Sequence, residues 1–163
     1  MALYSWENTA VPKGMLITQV YGLCFDVHGR LLLKLDGKSY GLPGGRPEAY
    51  DSDLMATLVR ECEEEVNIRI TRPRYLGYQC VRGDGDRDAY AQIRFIALIS
   101  EIHPAKRDPD TGKQYQRSLV SPLTASSLLN WGDVGVNQVS NGHELAIQLY
   151  GIPRNPGTSE EFV

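Results

Sequence analysis

From Met55 to Val66 the chain changes its hydrophobic period: Met55, Leu58, Val59, Cys62 and Val66 fall at i, i+3, i+4, i+7 and i+11. That spacing draws one apolar stripe down an α-helix and cannot give the alternating face of a strand. Asp51, Ser52 or Asp53 can cap its start, where an acidic side chain also meets the positive end of the helix dipole. Asn67 tolerates a left-handed backbone and predicts the end. A helix with a single apolar stripe must bury it against another layer, and the flanking sequence supplies strands. Residues 17–25 are apolar and β-branched, residues 30–35 follow the turn Asp26-Val27-His28-Gly29, and residues 39–42 form a short third strand broken by Pro43-Gly44-Gly45. Beyond the helix, residues 68–80 and 90–102 read as strands joined by the turn-rich stretch 82–86. A polar loop over 104–112 precedes helices over 121–129 and 138–150. Strands on both sides of a helix, with a helical end, predict an α/β sandwich around a mixed sheet.

The 163 residues suffice for one core, because a chain of about 150 residues buries ~70% of its surface. Residues 15–152 read as a single domain, 1–14 as an arm that is loose or pairs at a sheet edge, and 153–163 as a polar tail. That arm is also the element that would exchange between subunits of a homodimer. The net charge is −3 and the only concentrated charge is acidic, which argues against nucleic acid as a partner. No apolar run approaches the ~18 residues of a membrane span, and the N-terminus is neither basic nor signal-like. A membrane is therefore not an expected partner, and a cytoplasmic protein is expected. Cys24, Cys62 and Cys80 give an odd count without a CxxC pair, which suits a reducing interior and small buried side chains.

Within the predicted helix, Glu61, Glu64 and Glu65 stand at i, i+3 and i+4, so their carboxylates converge. Such like charges repel by a few tenths of a kcal/mol per pair, and a hard divalent cation such as Mg²⁺ or Mn²⁺ relieves that repulsion. An acidic face turned to water explains the same three residues, and composition alone favours it. Two neighbours shift the balance. Gly41-Leu42-Pro43-Gly44-Gly45 joins a strand to the helix through glycines that let backbone approach a ligand closely. Arg60 directly precedes the carboxylates and can fix the loop by pairing with one of its acids.

This order resembles the Nudix hydrolase signature, G-x5-E-x7-R-E-U-x-E-E-x-G-U with U apolar. Arg60-Glu61-Cys62-Glu63-Glu64-Glu65-Val66-Asn67-Ile68 matches its second half, and Leu42-Pro43-Gly44-Gly45-Arg46-Pro47-Glu48 is similar to the approach to its first glycine, Gly45. Asp51 stands where the signature has Glu, the loop from Asp51 to Arg60 is one residue longer, and Asn67 replaces the last glycine. The resemblance implies an α/β/α sandwich with a mixed sheet and a Mg²⁺-dependent pyrophosphohydrolase, with Mn²⁺ as an alternative ion. Its substrate would be a small phosphorylated molecule, a nucleoside diphosphate linked to another moiety. A non-catalytic nucleotide sensor is the other reading. Glu61, Glu64, Glu65 and Gly45 would bind metal, and Glu61, Glu64 and Arg60 would be catalytic, with Glu61 helping to activate water. Asp51, Glu48 and Asp53 compete as partner of Arg60. A later acid, from among Asp84, Asp86, Asp88, Glu101, Asp108 and Asp133, would complete the base. Arg46, Arg94 and Arg117 are candidates to bind substrate. Tyr40, Tyr78, Tyr115 and Trp131 could stack on a base, although packing explains them as well.

Overall fold

The computed structural model describes residues 1–85 and 88–163. Its strands are β1 (Leu3–Glu7), β2 (Leu16–Phe25), β3 (Leu31–Asp36), β4 (Ser39–Gly41), β5 (Gly44–Gly45), β6 (Ile68–Arg82), β7 (Tyr90–Ile102), β8 (Gln116–Val120) and β9 (Glu161–Phe162). The helices are α1 (Leu54–Val66), α2 (Pro122–Leu129) and α3 (Gly132–Tyr150). The sheet runs β1-β6-β7-β2-β3-β8-β9, with β4 paired to β3 and β5 to β2. β2 and β7 run parallel, while the other pairs are antiparallel, so the sheet is mixed.

Alternation along the central strands assigns the two faces. Val20 and Cys24 of β2 and Ile93 and Phe95 of β7 pack with Leu58, Cys62 and Val66 of α1. Leu23 and Phe25, with Ile96, turn the other way onto Leu129 of α2 and Val139 and Ala146 of α3. Of the stripe read from period 3.6, Leu58, Cys62 and Val66 are buried and Val59 packs beside them, while Met55 at its start is 43% exposed. The result is an α/β/α sandwich.

One local departure from a regular sheet creates space for a site. β2 meets β3 only at Phe25 and Leu31, and the two strands then diverge. Into the opening comes β5, where Gly45 pairs with Val20 and Gly44 with Tyr21. The loop before α1 is thereby fixed against the middle of the sheet.

Several elements differ from the sequence expectation. α3 starts at Gly132, well before residue 138, although Gly132 and Gly135 read locally as helix breakers. Glycine is useful in this helix because the backbone lies close to the sheet: a Cβ on Gly142 would come within 2.8 Å of Leu23 Cδ2. The stretch 116–120, to which the sequence pattern assigns no element, is β8, and the polar tail contributes β9. Residues 3–7 pair with residues 78–82 of β6. Among the described residues, no helix is long and apolar enough to cross a membrane.

Candidate active site

Asp53 caps α1, its Oδ1 accepting the Ala56 amide at 2.7 Å, and Asn67 closes the helix with φ of 48°. Arg60 on its exposed flank ties the loop to the carboxylates. Its Nε and Nη2 donate to the two oxygens of Asp51, each at 2.9 Å, and Nη2 also reaches the Arg46 carbonyl at 3.0 Å. Its Nη1 bridges Glu61 Oε1 at 3.0 Å and Glu64 Oε2 at 3.1 Å. Asp51 Oδ2 further accepts the Glu48 amide and the Thr57 hydroxyl, each at 2.9 Å. Of the three acids that compete for Arg60, Asp51 is therefore the partner, Asp53 is the cap, and Glu48 contributes only backbone. The Arg60 guanidinium holds the Asp51 carboxyl far below the usual carboxylate range.

Glu61 and Glu65 are each only 7% exposed. Glu61 is seated against Gly45, where a Cβ would come 2.5 Å from its carboxylate carbon. Burial pushes Glu61 up to about 7, against the opposing pull of Arg60 and with help from Glu65 and Glu64. Glu65 is occupied differently. Its Oε1 accepts the Gly44 amide at 3.1 Å and its Oε2 pairs with Lys34 Nζ at 3.0 Å. Burial raises its pKa too, with Lys34 opposing.

A third carboxylate joins Glu61 and Glu64 from a distant loop. One oxygen each from Glu61, Glu64 and Asp110 lie within 4.8 Å of one another. Asp108, 4% exposed, shapes that loop: its Oδ1 accepts the Asp110 amide at 2.9 Å, and its backbone bonds Lys113 and Gly112 at 2.8 Å each. Three carboxylate oxygens at this separation suit one hard divalent cation, so these side chains fit the expected metal. Asp110 is not among the acids that the sequence singles out; only Asp108, two residues earlier, is. Elsewhere, Glu101 contacts His103 and Arg69, Asp84 meets the Met1 ammonium, and Asp133 lies in the first turn of α3. Neither they nor Asp88 enter the triad, and Asp86 lies outside the described residues.

A cleft of about 630 Å³ lies at the opening between β2 and β3, bordered by Tyr21, Lys34, Leu42, Gln92, Arg94 and Trp131. Of the three arginines expected to meet substrate, Arg94 borders this cleft. Arg46 is exposed and lines a separate depression with Gln19 and Tyr90. Arg117 departs from its expected role. It is buried, and its guanidinium donates to the carbonyls of Val66 (2.8 Å), His103 (2.6 Å) and Val163 (3.2 Å), joining the end of α1 to the C-terminal strand. Among the aromatics, Trp131 borders the cleft, whereas Tyr78 and Tyr115 are buried in packing.

The Nudix family's sequence profile, described as NUDIX domain, matches residues 15–129, and the chain belongs to this family. No curated protein matches the chain. Among solved structures it is similar to a point mutant of the Bacillus subtilis pyrophosphohydrolase BsRppH, with a TM-score of 0.68, 18% identity, and coverage of 87% of this chain and 90% of that one. A NUDIX hydrolase from Nitrosomonas europaea aligns with a TM-score of 0.61 and 14% identity over 80% and 89% of the two chains. The NUDIX domain of Shewanella oneidensis NrtR, complexed with ADP ribose, gives 0.61 and 17% over 82% and 89%. At these identities the likeness is one of fold.

Proposed function

We propose that this Nudix protein is a divalent-metal-dependent hydrolase that cuts the phosphoanhydride of a nucleoside diphosphate linked to another group. The observation that carries this reading is the convergence of Glu61, Glu64 and Asp110 beside Arg60. Glu61, Glu64 and Asp110 would hold Mg²⁺, or Mn²⁺ in its place. Such an ion neutralises diphosphate charge and acidifies a bound water.

The chain's own groups supply the rest. Glu61, beside Glu64 and Asp110 and held by Arg60, would help to activate the attacking water. Arg60 fixes Glu61 and Glu64 with one nitrogen and the loop with the others, so that the carboxylates do not have to be ordered when substrate arrives. Gly45 leaves room for Glu61, while Lys34 restrains Glu65 and borders the cleft. The cleft has room for the remainder of a nucleotide-sized molecule. The ADP-ribose complex of the similar Shewanella domain supports a nucleotide-derived substrate. Free, buried cysteines are in keeping with a reducing, cytoplasmic setting.

The test is release of nucleoside monophosphate from a panel of sugar nucleotides, dinucleotides and nucleoside triphosphates, with Mg²⁺ and with a chelator. Turnover on at least one of them should vanish in chelator and in Glu64→Gln. Folded protein that turns over none of them, while still binding nucleotide, would establish the sensor reading instead.

A further inference from the structure

The sheet face beneath α3 carries a row of amides. Gln19, Gln92 and Gln79 are cross-strand neighbours on β2, β7 and β6, and Gln138 reaches the row from α3. Hydrogen bonds pass along it in one sense. Arg94 Nε donates to Gln138 Oε1 (2.8 Å), Gln138 Nε2 to Gln79 Oε1 (2.7 Å), Gln79 Nε2 to Gln92 Oε1 (3.0 Å) and Gln92 Nε2 to Gln19 Oε1 (2.5 Å). A guanidinium can only donate, so Arg94 sets the orientation of every amide after it.

Arg94 is 2% exposed yet borders the cleft. Its Cζ lies over the Tyr21 ring at 4.8 Å and the Trp131 ring at 5.8 Å. Its Nη1 donates to the Gln92 carbonyl at 3.3 Å, and among the described residues Nη2 has no acceptor. Burial pulls its pKa down to about 10, which still leaves it charged at neutral pH. Among the described residues no carboxylate lies within ion-pair distance of it. A buried cation without a counter-charge is costly, and four aligned amides with two rings only soften that cost. The cation is also close to the carboxylates, since Tyr21, over whose ring it lies, pairs with Gly44, whose amide donates to Glu65, and Lys34 on the same cleft pairs with Glu65.

We propose that Arg94 recognises a second anionic group of the substrate, a phosphate or carboxylate separate from the diphosphate that is cut. This rests on reading the cleft as the substrate site of a phosphoanhydride hydrolase. The amide row holds the guanidinium in place without neutralising it, so its charge remains available to a ligand.

The decisive variant is Gln138→Glu, which brings a carboxylate to the guanidinium in an isosteric frame. The amide row loses no bond, because each glutamine can turn over and donate in the opposite sense. Inorganic phosphate and acetate are titrated separately, in chelator, against the emission of Trp131, with Trp131→Phe as the signal control. Wild type should give a saturable change with phosphate, acetate or both, and the responding anion identifies the group. Gln138→Glu and Arg94→Met should weaken that binding roughly ten- to a hundredfold, with Gln138→Glu melting no lower than wild type. A second arm compares KM for NADH and NADPH, which differ by one phosphate. Where phosphate is the anion that responds, wild type should show the lower KM for NADPH and Gln138→Glu should lose that preference. Anion binding unaltered in both variants, or a neutral nucleoside that binds wild type as tightly as its monophosphate, would overturn the proposal. The titration needs no turnover, so it decides on Arg94 even if hydrolysis is absent.

Discussion

Arg60 binds Asp51 through two nitrogens, each 2.9 Å from a different carboxylate oxygen, although nine positions separate them. The loop between them is one residue longer than the family signature, and its acid is one methylene shorter. The two departures compensate, and the guanidinium still reaches Glu61 and Glu64. Losing Asp51 would leave a half-buried Arg60 free to collapse onto the carboxylates. Asp51→Asn should therefore destabilise the fold by about 1–3 kcal/mol at neutral pH and lower activity. The pKa of Asp51 is depressed in the fold, so its contribution is present above the unfolded value near pH ~4 and fades as pH falls further. Thermal melts of the two proteins should converge in strong acid.

Glu61 has the opposite sign. Its folded pKa of about 7 exceeds the ordinary 4.5, so ionising it works against the folded state. That penalty is absent below about pH 4.5 and grows as pH rises through about 7. In chelator, Glu61→Gln should melt like wild type at low pH and be more stable by on the order of 1 kcal/mol at pH ~8. Saturating Mg²⁺ should reverse that ranking, because only wild type gains from the ion. Calorimetry with and without metal measures both.

Gly45 sets how close Glu61 sits to the loop. An added methyl would fall 2.5 Å from the carboxylate carbon, and the carboxylate is held by Arg60 and cannot simply swing aside. Gly45→Ala should cost about 1–3 kcal/mol and displace Glu61. Manganese titration should show weakened binding, whereas a change in stability alone would mean that Glu61 relaxes in place.

Asp110 and Asp108 should separate by mechanism. Asp110→Asn removes a carboxylate from the triad, and Asp108→Asn weakens the acceptor that positions the Asp110 amide. Each should weaken Mn²⁺ binding roughly tenfold or more, but only Asp108→Asn should also raise proteolytic sensitivity of the loop. A wild-type Mn²⁺ affinity in Asp110→Asn would remove this residue from the metal site.

The legibility of these features follows their range in sequence. The α1 stripe and the carboxylates are local and repeated at helical spacing, although three residues compete for the cap and the carboxylates also fit a solvated face. The start of α3 is hidden because Gly132 and Gly135 disfavour helix in isolation, whereas in the fold Gly132 takes a φ of 64° and a Cβ on Gly135 would fall 2.7 Å from that of Trp131. Asp110 carries no local mark among the loop's polar residues. Its place beside Glu61 depends on hydrogen bonds from Asp108 and on strand β8 returning to β3. Arg117 looks available in the sequence because it follows a polar loop. Only the meeting of α1, β8 and the C-terminal residues shows that carbonyls occupy its Nε and Nη1.

The first strand has a practical consequence for handling the protein. β1 covers the outer edge of β6 from Tyr78 to Arg82, and its Tyr4 also borders the cleft. Removing the first seven residues would leave the backbone amides and carbonyls of β6 without partners, ready to recruit another chain. The same cut would take away one side of the pocket. Aggregation and altered ligand preference in a shortened version would then share a single origin, and an affinity tag is safer kept away from that strand.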